Sequence, residues 1–102
     1  MGTRDEGDVL TKKKSKTKEP KRFKVVFLND HYTTMEFVVA VLEQIFHRSP
    51  AEAAAIMLRI HNNGAGVAGV YTQDIAETKI EQTLALARQE GHPLMLTMEP
   101  ES

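Results

Sequence analysis

FKVVFLNDHYTTMEFVVAVLEQIF, residues 23–46, is the stretch on which the fold turns. Its first six residues, Phe23 to Leu28, are mostly aromatic and β-branched. Such side chains suit a pleated surface, so the run reads as a strand. Asn29-Asp30-His31-Tyr32-Thr33 follows as a turn, because Asn and Asp bond their own backbone and tolerate left-handed geometry. Thr33 and Glu36 have the spacing of a capping box, in which the Thr oxygen takes the N–H three residues on and the Glu reaches back. A helix from about Thr34 to His47 is expected. Met35, Val38, Val39, Leu42, Ile45 and Phe46 supply its apolar face.

Downstream, Ser49, Pro50 and Glu52 form a second start signal: an N-cap, a proline at the first helical position and a capping-box partner. The helix they open is expected to reach about Asn62, with Ala53, Ile56, Met57 and Ile60 on one side. Gly64 is its left-handed stop. Gly66 to Tyr71 reads as a glycine-interrupted strand. Thr72 can cap a third helix, with Asp74 in the first turn at the positive end of the helix dipole. Ile75, Ala76, Lys79, Ile80, Thr83, Leu84, Ala87 and Arg88 carry that helix to about Glu90, and Gly91 and Pro93 end it. Leu94 to Glu99 alternates and reads as a last strand. The order β-α-α-β-α-β predicts an α+β fold: a three-stranded antiparallel sheet with three helices packed on one face.

Upstream the chain changes character. Residues 1–22 hold eight Lys and Arg against four acids, about +4, and residues 23–102 hold five against ten, about −5. The near-zero total therefore hides a basic extension on an acidic body. The only sizeable apolar side chains of the extension are Met1, Val9 and Leu10, too few to offset the entropy of ordering, so it reads as disordered. The body, residues 23–102, supports one modest core. There is no cysteine, hence no disulfide and no thiolate metal site, which fits a reducing compartment. No apolar run approaches the roughly 20 residues of a membrane span, and the N-terminus lacks a signal-like apolar stretch. A cytoplasmic protein is expected.

Several chemistries read weakly. Gly64-Ala65-Gly66-Val67-Ala68-Gly69 matches a dinucleotide fingerprint letter by letter, but it follows a helix and opens a strand, the reverse of what that motif needs. His31, His47, His61 and His92 show no metal-ligand spacing, so no metal or other cofactor is expected. No nucleophile sits in a recognisable elbow, and the carboxylates mostly fall at helix caps and solvated faces, so no enzyme is expected. The lysine run Lys12 to Lys18 reads first as a solvated tail, next as a segment meeting an acidic or channel-like partner surface. Nucleic acid comes last, since no aromatics interleave the lysines. Met35, Met57, Met95 and Met98 read as core on composition, although methionine also lines pockets that accept varied apolar groups. His61 alone reads as a histidine at a helix C-terminus.

The run from Val25 to Val38 resembles the ClpS family of Clp protease adaptors. So do Ala55 to His61, Gly69-Val70-Tyr71-Thr72, Ile75 to Lys79 and His92-Pro93-Leu94. The resemblance extends from about Phe23 to Glu99. It implies a non-enzymatic adaptor that binds substrates with an N-terminal Phe, Leu, Tyr or Trp and hands them to the ClpA unfoldase, which feeds ClpP. A regulator of the unfoldase that binds no such substrate is the alternative. The resemblance implies that Asn29, Asp30 and His61 hold the α-amino group. It further implies that Met35, Val38, Met57, Ile60 and Leu94 wall an apolar pocket, with His31, Thr33 and Thr34 at its rim. Asp74, Glu77 and Lys79 match positions linked to the N-terminal domain of the unfoldase, and the basic extension matches a segment that acts on the unfoldase itself. A monomer is the default.

The roles make chemical sense. An α-ammonium group carries three donors and needs short-range acceptors, and charge-assisted bonds are strong. A histidine accepts only when neutral. Burying a Phe or Leu side chain contributes roughly 1.5–3 kcal/mol. Two residues of the loop depart from the family's common pattern: His31 stands where Asp is usual and Thr34 where Pro is usual. His31 removes a negative charge from the mouth and adds a positive one when protonated. Loss of a proline at the first helical position is expected to free the unbound loop. Both point to weaker or more selective binding that falls with pH.

Overall fold

The computed structural model describes residues 20–102. The reading of a disordered extension falls on residues 1–19 and lies outside them. Six elements follow in the expected order: β1 (Arg22–Leu28), α1 (Met35–Gln44), α2 (Pro50–Asn63), β2 (Ala65–Thr72), α3 (Gln73–Gln89) and β3 (Met95–Pro100). The strands form one sheet in the order β2-β1-β3, antiparallel on both sides of β1. The central place of β1 explains its apolar density, since Val25, Val26 and Phe27 are all buried.

Alternation along the strands divides the two faces. Val25 and Phe27 join Phe37, Val38, Val41, Leu42, Ile56, Ile60 and Ala76 in one core between sheet and helices. Val26 pairs with Val67 and Leu28 with Met95 on the opposite face. Val67 and Met95 are exposed there, so the helices cover only one face. Opposite the step from Val25 to Val26 the partner jumps from Gly69 to Val67, which leaves Ala68 as the extra residue of a β-bulge. Its carbonyl accepts from Arg48 Nε at 2.7 Å. Phe27 and Phe46 meet edge to face, with centroids 5.4 Å apart.

Several boundaries differ from the sequence reading: β2 runs one residue further at each end, β3 lies one residue later, and three differences have a visible cause. β1 starts at Arg22, inside the stretch assigned to the extension, where Arg22 pairs with Thr72 and its carbonyl accepts from Glu101 N at 2.8 Å. α1 is capped by Thr34, not Thr33: Thr34 Oγ1 accepts from Phe37 N at 3.1 Å. α1 also ends at Gln44 rather than near His47. There Val41 O accepts from both Ile45 N and Phe46 N, Arg48 N reaches Leu42 O, and His47 is thrown into the left-handed region at φ 55°. The second start signal is realised in full, with Ser49 and Glu52 exchanging both capping bonds and Gly64 closing α2 at φ 90°. Thr72 occupies the N-cap of α3 without a side-chain bond to it. Among the described residues, no helix is long and apolar enough to cross a membrane.

Candidate functional site

The loop after β1 is built by Asp30. Its Oδ1 accepts from Tyr32 N and from Thr33 N, each at 2.7 Å, and its Oδ2 accepts from Thr33 Oγ1 at 2.7 Å. Asp and Thr favour such bonds to nearby backbone, which is why this short stretch holds a defined shape. Burial by itself pushes the Asp30 carboxyl up. The hydrogen bonds from Thr33 and Tyr32 and the charge of His31 outweigh it and hold the group below its ordinary value of 3.8.

A single backbone bond brings this loop to α2. Asn29 N donates to Gly64 O at 2.9 Å, directly after the turn that carries His61. The left-handed Gly64 thus ends α2 and presents its carbonyl to the start of the loop. The result is a cleft of about 430 Å³ lined by Asn29, Asp30, His31, Thr33, Met35, Val38, Met57, Ile60 and His61. Buried Val38 and Ile60 form its apolar floor, and half-buried Met57 a wall. Met35 is 46% exposed, which places it at the mouth. The polar groups gather from one loop and one helix end, and the apolar ones from α1 and α2. That is the make-up of a site for a ligand with one polar and one greasy end.

Two of the residues expected at this pocket are not among those lining the cleft. Leu94 is 5% exposed and belongs to the core, immediately before β3. Thr34 faces a separate groove with Glu36, Phe37 and His92. It is the N-cap rather than the first helical residue, and its cap bond holds the loop end that the loss of proline was expected to loosen. Asp74 and Lys79 line another, larger concavity between the end of α1 and the start of α3, with Ile45, His47, Ile75 and Gln82. Glu77 accepts from Gln73 Nε2 at 3.0 Å on the exposed side of α3. Lys79 Nζ donates to Ile45 O at 2.6 Å and lies over the Phe46 and Tyr71 rings at 5.8 and 5.3 Å. Its place in the apolar row of α3 was the signal for this inward role. The bulge contact of Arg48 and the Asn29–Gly64 bond had no local signal. Among the described residues, no group of three or more His, Cys, Asp or Glu could hold a metal ion.

Comparison with known proteins bears on this arrangement. The model of the family described as "ATP-dependent Clp protease adaptor protein ClpS" matches residues 18–97. The chain belongs to the ClpS family. It is 57% identical over 97 residues to the ClpS adaptor of Desulfatibacillum aliphaticivorans, with 95% of this chain and 93% of the relative covered. To the ClpS adaptor of Deinococcus radiodurans it is 53% identical, with 95% and 86% covered. A solved structure of Agrobacterium tumefaciens ClpS2 bound to L-phenylalaninamide superposes with a TM-score of 0.77 at 43% identity, covering 81% of this chain and all of that one. ClpS proteins are adaptors of the ATP-dependent Clp protease and not enzymes, and this chain is such an adaptor.

Proposed function

We propose that the cleft binds the free α-amino group and the bulky apolar first side chain of N-degron substrates, those beginning with Phe, Leu, Tyr or Trp. The observation that carries this reading is the convergence of Asn29, Asp30 and His61 beside the floor of Val38 and Ile60. Phenylalaninamide, held by the Agrobacterium relative, has the two features such a cleft would read: a free amine and a benzyl side chain. Its amide stands in for the peptide bond to a second residue. Asn29, Asp30 and a neutral His61 accept from the ammonium group. Val38, Met57 and Ile60 take the side chain, Met35, Thr33 and His31 shape the mouth, and Leu94 backs the pocket from the core. A cleft of about 430 Å³ lies within the ordinary range for small-ligand sites.

Delivery completes the role. In the cytoplasm the adaptor, as a monomer, passes its substrate to the N-terminal domain of ClpA for degradation by ClpP. Asp74, Glu77 and Lys79 form the docking surface, and the basic extension before β1 engages the unfoldase while the chain from β1 onward forms the adaptor domain. Fluorescence anisotropy with peptides differing only in their first residue, free or acetylated, tests the reading. A free N-terminal Phe should bind at least about tenfold tighter than its acetylated form, because acetylation removes the charge and two donors. Equal binding would sink the N-degron reading in favour of a regulator that acts on the unfoldase without holding substrate.

A further inference from the structure

The geometry points to Thr33 as a positioning residue for the amine clamp: its hydroxyl and its backbone N–H, with the N–H of Tyr32, lock the Asp30 carboxylate and leave a single Oδ2 acceptor direction for the ligand. This rests on the N-degron reading of the cleft and goes one step further into it. A carboxylate offers about four lone-pair directions. Three are occupied here, each at 2.7 Å: Tyr32 N and Thr33 N on Oδ1, and Thr33 Oγ1 on Oδ2. Asp30 therefore does not swing. It is partly buried, lines the cleft and is held from the loop side on both oxygens.

The cap of α1 leaves Thr33 available for this task. Thr34 takes the capping bond to Phe37 N, so the Thr33 hydroxyl owes nothing to the helix. Preorganisation of this kind favours binding by sparing the ligand the entropy of ordering an acceptor. It also keeps the carboxylate ionised, since the same donors hold its titration down.

The test is a pair of variants in the full chain. Thr33→Val keeps the shape and the backbone N–H but removes the hydroxyl, and Thr33→Ser keeps the hydroxyl. Affinity for a Phe-initiated peptide should fall about tenfold in Thr33→Val, the size of one charge-assisted hydrogen bond, and return in Thr33→Ser. In the ligand-free protein, NMR titration of the Asp30 carboxyl should move upward in Thr33→Val and return in Thr33→Ser. Unchanged affinity in Thr33→Val, with the parent still preferring a free to an acetylated terminus, would overturn the positioning role and leave the N-degron reading intact. Equal losses in both variants would overturn it too, because the hydroxyl kept in Thr33→Ser would then fail to restore affinity. If the parent itself does not distinguish free from acetylated peptides, the N-degron reading falls, and the role of Thr33 in binding falls with it.

Discussion

At Gly66 β2 passes close against α2, and replacing it with alanine should damage fold and site together. A Cβ at this position would lie 2.8 Å from Ile60 Cγ1, 3.3 Å from the Ile56 carbonyl oxygen and 3.5 Å from Ile60 N. Carbon atoms pack best at about 3.5–4.0 Å, so the Ile60 contact is short by roughly 1 Å. Ile60 is β-branched, so its Cγ1 is held close to the helix backbone, and the Ile56 carbonyl is itself backbone. The helix itself must retreat. Overpacking of this sort costs about 1–3 kcal/mol, offset in part by the lower chain entropy of alanine, leaving a net loss of about 1–2 kcal/mol. For a domain of this size each kcal/mol is roughly 4–8 °C in Tm. Ile60 and His61 travel with the helix, so the amine acceptor leaves its place and affinity for a Phe-initiated peptide should fall about tenfold. Thermal melts and peptide anisotropy on the same preparation read both effects. Gly64→Ala is the control: at φ 90°, with nothing within 4 Å of the added carbon, it should cost about 1 kcal/mol through its backbone alone. If Gly66→Ala melts and binds like the parent, the close approach is not what holds α2 against β2. If Gly64→Ala weakens binding more than Gly66→Ala, the cleft depends on the turn rather than on the packing.

Four further outcomes are expected. Thr34→Pro should change stability by less than about 1 kcal/mol, since φ −73° suits proline and the lost cap bond is balanced by a stiffer unfolded chain; a thermal melt showing a larger loss would mean the loop cannot precede a proline. His47→Gly should raise stability by about 0.5–1 kcal/mol by relieving a left-handed φ of 55°, and a lower midpoint in urea would show that the imidazole contributes more than the strain costs. His31→Asp should tighten binding of free N-termini roughly fivefold by returning a negative charge to the mouth. Peptide anisotropy on parent and variant reads this, and equal affinities would refute it. Asp30 titrates lower in the fold than in the unfolded chain, so its stabilisation is complete above about pH 4 and is lost as pH falls through the folded value. Asp30→Asn should therefore flatten stability against pH at the acid end, and an unchanged slope would place the acid sensitivity elsewhere.

The short-range features of this chain follow from short-range chemistry. The capping box at Ser49, the left-handed stop at Gly64 and the β-prone run before Asn29 all depend on bonds spanning a few residues. The first cap shows the limit of such reading. Thr33 and Thr34 are both competent N-caps, and Glu36 at the capping-box spacing favoured Thr33. Asp30 claims the donors of Thr33, and Thr34 takes the helix instead. Lys79 is a similar case. Its place in the apolar row of α3 marks the face it lies on, but not the Ile45 carbonyl and the two aromatic rings that its ammonium meets there.

By itself the sequence determined the six elements, their order, and the loop and helix end that carry the polar residues of the site, because periodicity, caps and turn chemistry act over short separations. Its family motifs determined the adaptor class. The tertiary structure alone decided that Asn29 N meets Gly64 O, closing β1 and α2 around one cleft. It also withdrew Leu94 into the core and turned Thr34 into another groove. Those outcomes depend on which surfaces distant in sequence pack against one another, and no local pattern encodes them.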